Sequence, residues 1–473
     1  MDNTTEKQSI EEAKSTYHLS SRGACNALFR DVWGPREKSM GNPWSQNNLS
    51  GTVILRLAEN SLLHDEVADF IKTQINVQPI NHLTYSTGPR GSRSLRSAAA
   101  AFLNNDLGAI QTITADEIFV TPGLASAIDG LAWSICGDGD GILVPRPFYN
   151  GFTVDLLNRS NVQIVGVTYQ YIEGYFDLDD LFRPDVNAKA LERALQRARN
   201  DGINVKALMI SNPHNPLGRC YPAETLKEFI SFCGRNQLHF ISDEIYAKSL
   251  FANPTLPSPA PFISTLALDY GELIDPSLVH ILYGASKDFC ANGMRLGLVC
   301  TKNKGIIAAM SSIGIFSWTP HMLQDIWAAM LEDKQWLDTF MAKKADLMAE
   351  NYRVTTSFLA DRNIKYYEMN AGLFIWVDLR HLFRPELASQ GSGALGVRTP
   401  IVEIHKAREL EIIETCTKNG VLIAPGSVYL PEEYGWFRIT FTLQQVALKE
   451  GLDRLWKSLQ EAELDDLGGQ NQG

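Results

Sequence analysis

Four short segments place chemically capable side chains at turns. The first is Gly284–Ala285–Ser286–Lys287–Asp288, followed by Gly293–Met294–Arg295–Leu296–Gly297. An apolar run delivers Lys287 into a turn of small residues, where an amine could form a Schiff base. Arg295 follows in a Gly-flanked stretch, suited to a phosphate that needs a guanidinium and close backbone approach. The second segment is Ser211–Asn212–Pro213–His214–Asn215–Pro216–Leu217–Gly218. It ends a predicted strand, which is where open α/β sheets bind ligands. His214 reads as a structural or lining residue rather than a base. The third is Ser242–Asp243–Glu244–Ile245–Tyr246. Asp243 at a strand end could keep a heteroaromatic nitrogen protonated, turning the ring into an electron sink. Tyr246, three residues on, could hydrogen-bond a ring hydroxyl, and Glu244 reads as structural. The fourth is Thr121–Pro122–Gly123–Leu124–Ala125–Ser126–Ala127, whose helix-starting amides and Ser126 hydroxyl would suit a phosphate. Taken singly, each has a plainer reading. A lone lysine is commonly a solvated charge, Asp243 could cap a helix, and Pro, Asn, Gly and Ser simply make turns.

The elements that must position these residues are legible as short apolar strands separated by amphipathic helices. Strands are expected at 117–123, 141–147, 162–169, 205–213, 238–246, 278–286 and 296–300. Helices are expected at 92–104, 124–135, 191–200 and 225–236. This alternation predicts an α/β domain with a mainly parallel sheet. A long helical stretch over 335–359 is a natural hinge to a second, smaller α+β domain. We expect an N-terminal arm over 1–50, with 1–20 loose. The small domain is expected over 51–81 and 336–463, the large cofactor-binding domain over 82–335, and a disordered tail over 464–473. The four-proline loop 253–261 cannot join a central strand, and the Gly- and Ser-rich 390–400 reads as a mobile insertion.

At 473 residues the chain exceeds one compact core. Its net charge of −11 opposes binding to nucleic acid or anionic lipid. The N-terminus has no secretory h-region, and no apolar run reaches membrane-spanning length. Seven cysteines without a CxxC pair read as reduced thiols, pointing to the cytoplasm. Asp138 begins a fragment like a calcium loop, but its twelfth position is Tyr149, so a turn is expected and no metal. No HExxH, GxSxG or Walker A motif occurs.

Together the four segments resemble fold-type I pyridoxal-phosphate (PLP) enzymes of the class I/II aminotransferase superfamily. The resemblance spans roughly residues 50–460 and is nearest the 1-aminocyclopropane-1-carboxylate (ACC) synthase branch, in particular its fungal synthase-like members. It is carried by LAEN (57–60), LTYSTGPRGSRSLR (83–96), PHNPLGRCYP (213–222), SDEIYA (242–247), SKDFCANGMRLG (286–297) and GWFRITFT (435–442). It implies that Lys287 carries the cofactor and moves the substrate's α-proton, and that Asp243 pairs with the pyridinium nitrogen. Tyr246 and Asn215 would bond the ring's phenolic oxygen. Tyr149 would stack on the ring, with Phe148 as the rival. Ser126, Ala127 and Arg295 would hold the phosphate. Tyr85 would reach the phosphate in a neighbouring subunit, implying a homodimer with shared sites. Arg438 would clamp the α-carboxylate, and Ala58 and Glu59 would face an amino-acid substrate. The implied function is a PLP-dependent lyase or synthase expelling a sulfur-based leaving group, in specialised metabolism. The alternatives are an aminotransferase and, remotely, a non-enzymatic regulator on the same fold. Many such enzymes carry Ser or Thr three residues before the lysine; this chain has Gly284 there, removing one phosphate contact. Cys290 also departs from the usual small or aliphatic residue.

Overall fold

The computed structural model describes residues 3–383 and 401–468. Its centre is a seven-stranded sheet. In spatial order the strands are Ile118–Thr121, Gly297–Thr301, Val279–Gly284, His239–Asp243, Val205–Ser211, Gly141–Pro145 and Gln163–Val167. All neighbours are parallel except Gly297–Thr301, which runs against both its partners. The central strands are buried along nearly their whole length. That is why they read as continuous apolar runs rather than alternating ones. Helices cover both faces, among them Arg93–Asn105, Leu124–Ile135 and Ala223–Asn236. Ser92 caps the first of these by accepting from the Leu95 N–H at 3.1 Å. The fold is therefore the expected fold-type I α/β arrangement, with a mainly parallel sheet and a smaller sheet beside it.

The smaller sheet is antiparallel, in the order Ala424–Pro425, Trp436–Thr440, Phe374–Asp378, Lys365–Tyr366. Beside it Val53–Ile54 pairs in parallel with Val421–Leu422. The 27-residue helix Lys334–Ala360 links the two sheets. Its early residues Leu337 and Phe340 pack into the core of the large sheet. Its later residues Met348, Tyr352 and Leu359 pack into that of the small one. No helix among the described residues is long and apolar enough to cross a membrane.

One expectation fails at the N-terminus. Where the sequence suggests a loose stretch over 1–20, the chain forms the helix Asn3–Tyr17, then Ser21–Phe29 and Trp33–Met40. The first is weakly amphipathic, so tertiary docking decides it. Ala13 and Ala24 are buried. Asn26 Nδ2 donates to Asn158 O at 2.9 Å, and Arg30 Nη1 to Leu157 O at 2.7 Å. These bonds anchor the segment on the end of the helix Gly151–Leu157. Elsewhere, Asp140 Oδ2 accepts from the Gly137 N–H at 2.7 Å, closing the turn expected there. In the proline-rich loop, Asn253 Nδ2 donates to Glu368 Oε2 and Met369 O, both at 2.8 Å. The expected insertion 390–400 and residues 469–473 of the tail lie outside the described residues, while the expected tail's first residues continue the helix Gln445–Gly468.

Candidate active site

Parallel strands deliver their C-terminal ends to one rim of the sheet, and three of the four segments begin there. Asn212 N donates to Asp243 O and Glu244 N to Leu282 O, both at 2.9 Å, so the chain beyond each strand is tied to its neighbour at the rim. The fourth segment joins through a close contact of small residues. Gly284 and Gly297 face each other in register, and Gly297 packs on the backbone of Gly123. Gly123 itself has φ +80°, a conformation glycine adopts without strain.

Lys287 follows Gly284 in a single helical turn. Its Nζ donates to the main-chain carbonyl of Ala58. Burial pulls the amine down to about 8, assisted by the positive charges of Arg438 and Arg295 and resisted by Glu59 and Asp243. Asp243 is buried and accepts from the Ile245 N–H at 3.1 Å. Burial pushes this carboxyl up to about 7, against the pull of the Ile245 bond and the Lys287 charge. Tyr246 is buried edge-on against Phe374, and burial holds its phenol well above the usual range. Tyr149 feels Asp155, Arg438 and Tyr429, with burial pushing it up to about 12. Its neighbour Phe148 is buried in the apolar layer below. Tyr149 is therefore the aromatic ring that faces the site's charges.

Arg438 lies on the strand Trp436–Thr440 of the small sheet and is 3% exposed. Nη1 donates to Asn215 Oδ1 and Nη2 to Arg56 O, each at 3.0 Å. The guanidinium lies between the Phe374 and Tyr429 rings, 4.7 and 4.8 Å from their centroids. Its Nε is buried without a hydrogen-bond partner. Among the described residues no carboxylate pairs with it. A buried cation in this state is poised for an anion from outside the chain. Arg295, with φ +54°, donates to Asn292 O at 2.9 Å and Pro122 O at 3.3 Å, both carbonyls. Ser126 sits in the first turn of the helix Leu124–Ile135, its Oγ donating to Pro122 O at 3.3 Å, with Ala127 buried beside it. Glu59 is exposed and accepts from Asn292 Nδ2 at 2.7 Å, while Ala58 is buried.

The structure thus gathers Lys287, Asp243, Tyr246, Tyr149, Asn215, Arg295, Ser126, Ala127, Ala58, Glu59 and Arg438 around one rim. It does not bring Tyr85 there. Tyr85 is 82% exposed, and its ring lies edge-on to Trp318. His214 and Glu244 prove structural, as expected. His214 packs between Phe182 and Tyr221, and burial pulls it down to about 3. Buried Glu244 accepts from Ser242 Oγ, Ser264 Oγ and Thr265 N.

Sequence reasoning missed several members. Tyr429 and Phe374 sandwich Arg438 but look like ordinary core aromatics. The lysine's resting partner is a main-chain carbonyl, which leaves no side-chain signal. Asp155 is a second acid near the rim, pushed up to about 7 by burial and by the charge of Asp243. Arg56, immediately before LAEN, was the one visible signal overlooked.

Comparison with known proteins fixes the lineage. A profile of aminotransferase class I and II matches residues 52–455. The chain belongs to that family. It is a PLP-dependent enzyme. The chain is 30% identical to a 1-aminocyclopropane-1-carboxylate synthase of Glycine max, over 90% of this chain and 84% of the relative. It is equally 30% identical to the probable aminotransferase sirI of Leptosphaeria maculans, over 86% and 91% of the two chains. Among solved structures, a Thermus thermophilus aspartate aminotransferase tetra mutant complexed with tryptophan superposes with a TM-score of 0.69 at 20% identity. That match covers 93% of this chain and 99% of the other. It shows the shared fold.

The residues present fit the cofactor. Gly123 leaves a cradle that any Cβ would fill by running into the Arg295 guanidinium. Among the described residues that guanidinium bonds only carbonyls. Gly284, in place of a hydroxyl residue, also has a structural cause. A Cβ there would sit 2.8 Å from both Leu124 Cδ1 and Leu296 O, so the room is already taken.

Proposed function

We propose that this enzyme is an amino-acid lyase or synthase that removes an α-proton and then expels a sulfur-based leaving group. The observation that carries this reading is the position of Ala58 and Glu59. The segment shared with the ACC synthase branch lies directly against Lys287, its carbonyl holding the amine and its carboxylate resisting the fall in basicity. Nine-tenths of the chain aligning with a synthase of that branch supports it.

When bound, PLP supplies an electron sink conjugated to the substrate's Cα. The chain's own residues do the rest. Arg438 grips the α-carboxylate with a guanidinium that the aromatic rings and Asn215 hold flat. Asp243 would hold the cofactor's ring nitrogen in its protonated form. Tyr246 and Asn215 would bond the ring hydroxyl, and Tyr149 would pack on the ring. Arg295, Ser126 and the amides around Ala127 would hold the phosphate. Lys287 accepts the α-proton; its depressed basicity leaves a substantial neutral fraction near pH 8. Tyr85 completes the phosphate site of a second copy. The strong exposure of Tyr85, and of the apolar residues Ile80, Leu83, Ile315 and Phe316, supports a homodimer as the working form.

The test is the fate of the cofactor in a single turnover. The holoenzyme is mixed with S-adenosylmethionine, cysteine conjugates, and aromatic or acidic amino acids in turn. A retained visible band with release of a thiol or thioether fragment supports the reading. Conversion to the pyridoxamine form, reversed by a keto acid, makes the enzyme an aminotransferase, the second reading favoured by its likeness to sirI.

A further inference from the structure

Arg438 sits on the small sheet, yet one of the two rings that flank it is fastened to the large one. Tyr429 ends the turn Gly426–Tyr429, and its ring lies 4.8 Å from the Arg438 guanidinium. Its main-chain carbonyl accepts from the Phe148 N–H at 2.9 Å, next to Tyr149. The three residues that follow reach the ends of the last two strands of the large sheet, Gly141–Pro145 and Gln163–Val167. Arg146 Nε donates to Leu430 O at 2.7 Å and Nη2 to Pro431 O at 3.1 Å. Glu432 accepts from Thr168 Oγ1 and from the Tyr169 N–H, both at 2.8 Å. Leu430, Pro431 and Glu432 are thus each tied across by a bond with a charged partner, stronger than a neutral one. Two details show how closely the contact is fitted. Leu430 has φ +52°, a conformation that a residue with a Cβ keeps only where its surroundings fix it. Arg146 is fixed at its base by its N–H, which donates to Val167 O at 3.1 Å, and Gly166 leaves room for its stem: a Cβ there would sit 3.0 Å from Arg146 Cδ.

We propose that Arg146 and Glu432 are positioning residues for the carboxylate clamp: they pin the loop beyond Tyr429, and the Tyr429 ring holds the Arg438 guanidinium at the angle that grips the substrate's α-carboxylate. This rests on the reading of Arg438 as that clamp. Attraction between a guanidinium and a ring depends on the ring staying over the charge, and fork recognition of a carboxylate depends on the plane of the fork. Loosening the loop therefore weakens carboxylate binding while Lys287, Asp243 and Tyr246 keep their places. Phe374 still flanks Arg438 on its own sheet, and Trp376 still meets Tyr429 edge-on at 5.5 Å, so the loss is partial.

The test uses holoenzyme and two small probes, aminooxyacetate and O-methylhydroxylamine. Both bleach the cofactor's visible band, and only the first carries a carboxylate. The ratio of their second-order bleaching rates, divided by the same ratio for free PLP, reads the clamp alone and is independent of whether the enzyme is a lyase or an aminotransferase. A charge-assisted fork predicts a preference of about 10- to 100-fold for aminooxyacetate in the unmodified enzyme, lost in large part in Arg438→Lys. Arg146→Met and Glu432→Ala should each cut the preference about 3- to 10-fold, with the O-methylhydroxylamine rate within about twofold of the parent. Thr168→Val, a milder change that removes one bond, should cut it less, and Glu432→Gln should keep most of it. In an Arg438→Lys background Arg146→Met should alter the ratio by less than about twofold, because it acts through Arg438. A ratio that survives Arg146→Met and Glu432→Ala overturns the proposal. So does an equal fall in both rates, which is a general loss of structure, or an Arg146→Met effect that persists in full beside Arg438→Lys. No preference for aminooxyacetate in the unmodified enzyme overturns the reading of Arg438, and this proposal with it.

Discussion

Replacing Asp288 with Asn should destabilise the whole chain, although the change is nearly isosteric. Asp288 adjoins Lys287 and is fully buried. Its carboxylate accepts from Tyr283 Oη at 2.8 Å, Ser249 Oγ at 2.7 Å and the Lys248 N–H at 2.9 Å. Lys344, also fully buried, donates to Asp288 O at 2.7 Å and lies 3.7 Å from Oδ1. One acid therefore ties the lysine turn, the loop after Tyr246, a central strand and the helix between the two sheets. Asp288→Asn leaves Lys344 as a buried cation without a counter-charge, which costs about 3–5 kcal/mol. Unfolding entropy of about 2 cal/mol/K per residue gives about 1 kcal/mol/K for a chain of this length, so the thermal midpoint should fall by about 4 °C. Adding Lys344→Met removes the stranded charge and should recover about half of the loss. Scanning calorimetry of the four proteins, at one protein and cofactor concentration, reads the cycle. A single mutant within 1 °C of the parent, or a double mutant less stable than Asp288→Asn, would refute the reasoning.

Three further outcomes are expected from the same geometry. His239 Nδ1 and His280 Nε2 lie 2.9 Å apart, and burial pulls His280 down to about 3. Below about pH 6.5 the unfolded chain takes up a proton that folded His280 refuses, so stability falls with pH by about 1.4 kcal/mol per unit; in His280→Gln, denaturant titrations should show a flatter slope between pH 4 and 6.5. Gly284→Ser restores the hydroxyl that many relatives have, yet it should weaken cofactor retention and cost about 1–3 kcal/mol. Equilibrium dialysis should show the loss, and Leu124→Ala should recover only part of it, because the Leu296 carbonyl still crowds the added Cβ. Arg438→Lys loses the fork and the stacking between Phe374 and Tyr429, so kcat/KM in steady-state assays should drop about 10- to 100-fold, whereas the visible cofactor band should persist.

The large sheet was legible because its buried strands are mainly apolar runs, and small or turn-forming residues mark several of their ends at the rim. Val205–Ser211 runs into the turn that carries Asn215, and Val279–Gly284 into the one that carries Lys287. The helix Leu124–Ile135 has the bounds the sequence suggests, because glycine precedes it and Cys136 leaves the helical conformation. Contacts between distant residues were not legible. Arg438 is held by Asn215 and Arg56, 223 and 382 positions away. Lys344 follows another lysine in an exposed-looking helical run and reads as a solvated charge until the fold buries it against Asp288. The helix Ser21–Phe29 is anchored at Leu157 and Asn158 by Asn26 and Arg30, a contact that local composition does not encode. Tyr85 is exposed outside the site of its own chain, and nothing in the local sequence signals that.

The most direct test of the account is where the cofactor is attached. The purified holoenzyme is reduced with borohydride, digested, and its peptides mapped by mass spectrometry. The account predicts a phosphopyridoxyl label on Lys287, in the peptide containing Ala285–Ser286–Lys287–Asp288, and no label in Lys287→Ala. A label on any other lysine, or undiminished labelling of Lys287→Ala, would contradict it.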